Sequence, residues 1–217
     1  MNIQLKAKRQ DGFTIIELVV VILLLGILAA TALPRFMDVT DEAHDAVVEG
    51  VVGGLNSGSA LFRATWVATG QSTTAAVDYP DGSGTLYANS NGYPIGDATT
   101  IDATACADIF DTLLQSGHPD VAAGGGYEAT VGDYETLVEA VSNSTNGTDQ
   151  DADFVAINNY AQGDAVADTT SCSYFYVGQF KEGTSTTAPA VTIPQIDYSL
   201  TTGDVTLQGT ELALNTD

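Results

Sequence analysis

The sequence predicts an α+β protein: a long N-terminal α-helix, first membrane-spanning and then amphipathic, packed on a C-terminal antiparallel β-sheet head. Three observations predict it. From Phe13 to Leu33 the chain carries a single charge, Glu17, in a run that as a helix would reach roughly 31 Å, about the hydrocarbon thickness of a bilayer. Beyond that run, apolar residues keep a helical spacing as far as Trp66. The last third is rich in aromatic and β-branched residues broken by turn signals. With 217 residues and a hydrophobic fraction of 44%, the chain beyond the apolar segment has material for one modest globular domain.

Residues 1–12 hold Lys6, Lys8 and Arg9 with one acid, Asp11, so positive charge keeps this end cytoplasmic and sends the bulk of the chain outward. Of 28 acids and six bases in the whole chain, one and three lie before residue 13, leaving 27 acids against 3 bases, a formal net of −24. Such a surface repels nucleic acid and anionic lipid and needs counterions to pack against copies of itself, so no nucleic-acid partner is expected.

After the apolar run (13–34), residues 35–68 read as the amphipathic half of the same helix. Phe36, Val39, Ala43, Val47, Val51, Leu55, Phe62 and Trp66 recur mostly three or four apart, with Asp38, Asp41, Glu42, Asp45 and Glu49 on the other faces. Together the halves would form a stalk of roughly 80 Å. Gly26 and Pro34 are its weak points, since Pro removes a backbone bond and Gly costs about 1 kcal/mol of helix stability. Gly50, Gly53, Gly54 and Gly58 either allow close packing on the head's sheet or end the helix early.

The head, 69–217, begins with a Thr/Ala/Gly/Ser-rich connection through residue 104, with turn signals "YPDGSG" and "NSNGYP" and room for one short strand. "ATACADIFDTLLQSG" places Ile109, Phe110, Leu113 and Leu114 on one side of a short second helix that carries Cys106. Residues 117–150 read as loops. "SCSYFYVGQF" and "IDYSLTTGDVTLQ" read as strands, the latter as two runs around Thr201 to Asp204.

Cys106 and Cys172 would face an oxidising compartment. Two thiols 66 positions apart with two histidines in the chain make no metal-ligand pattern, so a disulfide is expected, stabilising the head by about 4 kcal/mol on the loop-entropy model. His44 and His118 have no nucleophile at a recognisable spacing and read as solvated side chains, so no enzyme activity and no cofactor is expected. Asp149, Asp151 and Asp153 alternate like the start of a calcium loop, but Phe154 stands where Gly is required and no bidentate Glu follows, so a solvated loop is expected and no metal. Asn143 and Asn146 head N-x-S/T triplets, which matter only in a host that glycosylates.

Three readings fit the N-terminus. A secretory signal could be cut at Ala30-Thr31-Ala32, but the apolar run is long for that and Asp11, Gly12 and Glu17 go unexplained. A plain anchor also has no use for Glu17. The third rests on "GFTIIELVVVILLLGILAATALP", which resembles the N-terminus of a type IV prepilin: a short basic leader, Gly then Phe, an acid at the fifth mature position, a long apolar run and a terminal Pro. The chain's length, late cysteines and C-terminal pattern are similar to the mannose-sensitive haemagglutinin branch of these pilins.

The resemblance implies that residues 1–12 are a leader, that a prepilin peptidase cuts between Gly12 and Phe13, and that Phe13 is N-methylated. It implies a homo-oligomeric filament, membrane-anchored before assembly, served by an inner-membrane platform protein and an assembly ATPase. The precursor would lie in the inner membrane and the product in an extracellular pilus. Glu17, one turn from the new amine, would pair with the Phe13 ammonium of a neighbouring subunit; the alternative is that Glu17 snorkels to the headgroups. The segment between Gly26 and Pro34 would lose helicity on assembly, and the disulfide would fasten a C-terminal loop to the body. The runner-up function is a type II secretion pseudopilin; a third is a signal-cleaved extracellular binding domain.

Overall fold

The structure is a computed structural model that describes residues 13–79, 84–96, 101–114, 117–124, 152–158, 170–178 and 190–213, of which 33–41, 190–191 and 210–213 are described by their backbone. Helix α1 runs Ile15–Ala68, and the chain divides within it into two units, Met1–Ala43 and His44–Asp217.

In the first unit, residues 15–32 are helical and solvent-facing, and α1 passes through Gly26 and Pro34 without interruption. Thr31, a polar residue in an otherwise apolar stretch, satisfies its hydroxyl by donating back to the Ile27 and Leu28 carbonyls.

The second unit begins with His44–Ala68 of α1, followed by β1 (Val77–Asp78), β2 (Thr85–Leu86), α2 (Ala103–Leu113), β3 (Val121–Ala123), β4 (Phe154–Asn158), β5 (Ser171–Tyr176), β6 (Ala190–Ser199) and β7 (Val205–Ala213). Strands β3 to β7 form one sheet in sequence order, while β1 and β2 pair separately. The antiparallel expectation holds for β4 through β7, and the exception is β3, which runs parallel to β4.

The buried side of α1 is the row Val48, Val51, Leu55, Ser59, Phe62 and Trp66, steps of three and four that follow a 3.6-residue period. This shifts the expected stripe: Val48 is buried where Val47 is partly so, and Ala43 is exposed. The four glycines do not end α1. Gly54 and Gly58 do permit a close approach, but to α2 and its end rather than to the sheet, because a Cβ at Gly58 would run into the Leu113 carbonyl and one at Gly54 into the Leu114 side chain.

Helix α2 starts at an Asp102 cap that accepts from the Ala105 N–H at 2.9 Å, and it buries Ile109, Phe110 and Leu113, with Leu114 just beyond its end. Phe110 lies 5.3 Å from Phe154 and 5.1 Å from Tyr174 by ring centroids, with tilted planes, so α2 is seated on the sheet through aromatic contacts.

The Cys106–Cys172 disulfide joins α2 to β5, with Cα atoms 5.5 Å apart. The expected loop fastening is corrected here: Cys172 sits in a strand paired on both sides, with Asn158 and Tyr198, and both sulfurs are buried. It is a staple through the core. Strand β4 was not foreseen, since "FVAIN" is short and fully buried, without the alternation that marks a half-exposed strand. The connection before α2 holds two short strands instead of one.

The histidines are not simply solvated. His44 Nδ1 is 2.6 Å from the Tyr176 hydroxyl, with ring centroids 5.6 Å apart, and His118 lies edge-on to Phe110 at 6.0 Å and 3.9 Å from Asp111. Of the alternating acids, Asp149 and Asp151 lie outside the described residues, as do Asn143 and Asn146. Asp153 is fixed by its backbone at the start of β4: its N–H donates to the Asp120 carbonyl, and its carbonyl accepts from Val177 and Gly178.

Candidate assembly interface

An 18-residue window, Ile15–Ala32, has a mean hydropathy of 2.8 and no part buried within the chain. Phe13 is 91% exposed, and Ile22, Leu23, Leu24, Leu25, Ile27 and Leu28 are each more than half exposed. Fully burying an aliphatic side chain of this size stabilises by about 2 kcal/mol, so the helix needs lipid or copies of itself to cover it. Gly26 leaves a gap in this surface where a Cβ would meet nothing within 4 Å.

Glu17 is the one ionisable residue of the window. Its carboxylate accepts from the Thr14 N–H at 2.9 Å and from the Thr14 hydroxyl at 2.8 Å, while the Thr14 hydroxyl accepts from the Glu17 N–H at 3.3 Å. This is a reciprocal capping box at the start of α1, satisfying two of the backbone donors that a helix N-terminus leaves open. Sequence reasoning missed the role of Thr14, although Thr-x-x-Glu immediately before an apolar run is the signal for it. The cap also aims the carboxylate back toward residue 13, on the side where cleavage after Gly12 would create an ammonium. Gly12 itself lies outside the described residues.

The N-terminal stretch presents an uncovered apolar helix surface with one hydrogen-bonded carboxylate near its tip.

Residues 7–33 match the family model of the prokaryotic N-terminal methylation motif. The chain is 40% identical over 111 residues to the type IV narrow pilus major component PilA5 of Thermus thermophilus, covering 50% of this chain and 90% of that one. It is 31% identical over 125 residues to fimbrial protein Q of Moraxella bovis (57% and 69% covered) and 32% identical over 82 residues to the type II secretion system core protein G of Pseudomonas aeruginosa (36% and 58% covered). No solved structure matches the chain significantly. An apolar, uncovered N-terminal helix with the methylation motif, followed by an α+β head, defines a pilin-like protein. The chain belongs to the type IV pilin family.

Proposed function

We propose that this chain is the structural subunit of a type IV pilus-like surface filament. The single observation that carries the reading is the uncovered apolar face of Ile15–Ala32 with Glu17 capped at its tip. In the bilayer, lipid covers that face as well as another helix would, so the precursor can wait there as a monomer. In a filament outside the membrane, only neighbouring copies can cover it.

Cleavage between Gly12 and Phe13 removes the basic leader and leaves an ammonium at Phe13, which N-methylation keeps charged. The Glu17 carboxylate of a neighbouring subunit answers it and sets the stagger of the bundle. Gly26 and Pro34 bound a segment able to give up helical bonds as subunits pack. The partners on this reading are a prepilin peptidase, an inner-membrane platform protein and an assembly ATPase; the precursor resides in the inner membrane and the product outside the cell. The role is structural rather than catalytic, and attachment to surfaces is the task such a filament would serve.

Mass spectrometry of the mature N-terminus tests the processing step: the chain should begin at a methylated Phe13, and a start at Leu33 would replace this reading with an ordinary secretory signal. The resemblance to core protein G of a secretion system supports a second reading, a pseudopilus subunit with the same N-terminal chemistry. Long surface filaments with this chain as their main protein favour the first over the second.

A further inference from the structure

The second unit carries two clefts between the α1 surface and the β6–β7 hairpin, one holding a cation and the other bordered by acids alone among its charged residues. One, of about 610 Å³, is bordered by Ser59, Arg63, Tyr93, Gly203 and Asp204. The other, of about 450 Å³, is bordered by Asp45, Glu49, Pro194 and Leu207. Arg63 is the one base after residue 12 whose side chain is described, in a stretch of 27 acids and 3 bases (28 acids less Asp11, six bases less Lys6, Lys8 and Arg9).

Its guanidinium is held in place without a carboxylate. It lies 4.9 Å over the Tyr93 ring and donates to the Tyr93 hydroxyl at 3.2 Å, and no described acid forms an ion pair with it, although Asp204 borders the same cleft. A cation stacked on an aromatic face keeps donors free for an incoming carboxylate while losing little side-chain entropy on binding. Asp45 and Glu49 present the complement. They are exposed, one turn apart on α1, and repel each other there. Along the helix they stand roughly 21 to 27 Å from Arg63.

We infer that the Arg63–Tyr93 cleft of one copy receives Asp45 and Glu49 of a neighbouring copy. A two-fold pair would make this contact twice and close, whereas the same contact made heterologously, head to tail, extends as an open array, which is the form a filament subunit needs. The contact also answers the repulsion between copies whose residues 13–217 carry a net charge of −24 (27 acids, 3 bases), at the place where one of the few cations is presented. It rests on the filament-subunit reading.

Charge exchange tests it, by counting filaments on cells that express only the variant, with subunit level, N-terminal processing and the Cys106–Cys172 disulfide measured alongside. Arg63→Glu alone and Glu49→Arg alone should each lower filament number at least tenfold with subunit level, processing and disulfide intact. Arg63→Glu combined with Glu49→Arg, or with Asp45→Arg, should restore it to within about twofold of the parent. Parental filament numbers for Arg63→Glu, or restoration by neither double variant, overturn the proposed contact. Either result leaves the filament reading standing if the parent chain forms filaments; only a parent without filaments removes both.

Discussion

Thr14 and Glu17 cap each other: the carboxylate of Glu17 takes both the N–H and the hydroxyl of Thr14, and the same hydroxyl takes the Glu17 N–H. A charge that would be costly near a bilayer is thereby given two hydrogen bonds within one turn, and its direction is fixed before any partner arrives. The acid is a helix start, and on the proposed function it is an assembly charge as well.

The cap predicts a graded response at Thr14. Thr14→Ser keeps the hydroxyl and should behave as the parent. Thr14→Val removes it, costing about 1 kcal/mol at the helix start, so amide exchange of residues 15 to 18 in detergent micelles should quicken about fivefold. Equal exchange in the two variants would remove the cap from the account.

Glycines on one helix should differ in sign. Gly58→Ala pushes a methyl into the Leu113 carbonyl, so it should destabilise the chain by about 1 to 3 kcal/mol despite better helix propensity. Gly53→Ala meets nothing within 4 Å and should stabilise by up to about 1 kcal/mol. Denaturant unfolding of the detergent-solubilised chain measures both; the same sign for both would show that α2 is not seated on α1 as described.

Much of this fold was legible because its signals are local. The stripe through Val51, Leu55, Phe62 and Trp66, the α2 face of Ile109, Phe110 and Leu113, and the turn between β6 and β7 all repeat over a few residues. What was not legible depends on meetings across the chain. His44 and Tyr176 are 132 positions apart, and nothing in their neighbourhoods announces the contact. Strand β4 is buried along its whole length, so it lacks a period, and the parallel pairing of β3 with it is a property of the sheet. The Gly54 and Gly58 gaps were visible, but which element fills them was not. Thr14 is the exception: its signal was local, and the charge of Glu17 drew attention from it.

The disulfide predicts a specific order of damage. Cys106 and Cys172 hold α2 to β5 in the core, so replacing both with Ala should cost about 2 to 5 kcal/mol and lower the yield of folded subunit. On the proposed function cleavage acts between residues 12 and 13, far along the chain from this cross-link, so the small amount that is made should still be cut. Unfolding midpoints equal to the parent, or loss of cleavage with normal folding, would contradict this placement.

Two buried tyrosines predict alkaline sensitivity. Burial pushes the phenols of Tyr174 and Tyr198 up from the ordinary value near 10; Tyr174 donates to the Cys106 carbonyl at 2.9 Å and Tyr198 to the Pro94 carbonyl at 3.4 Å. The folded chain therefore holds these protons at a pH where the unfolded chain has released them. Their contribution is full below about pH 10 and is lost as pH rises from there through the raised folded values. In difference absorbance against Tyr174→Phe and Tyr198→Phe, the tyrosinate signal of these two phenols should appear only as the chain unfolds; its appearance with the fold retained would be the contrary result.

The account turns on Glu17, and the decisive substitution is Glu17→Gln, because Gln can still close the capping box through its amide oxygen and so removes the charge while sparing the helix start. Filaments are counted on cells that express only this variant, with membrane insertion and cleavage at Phe13 verified in the same cells. The account predicts normal insertion, normal cleavage and few or no filaments. Filaments of parental number and form would contradict it.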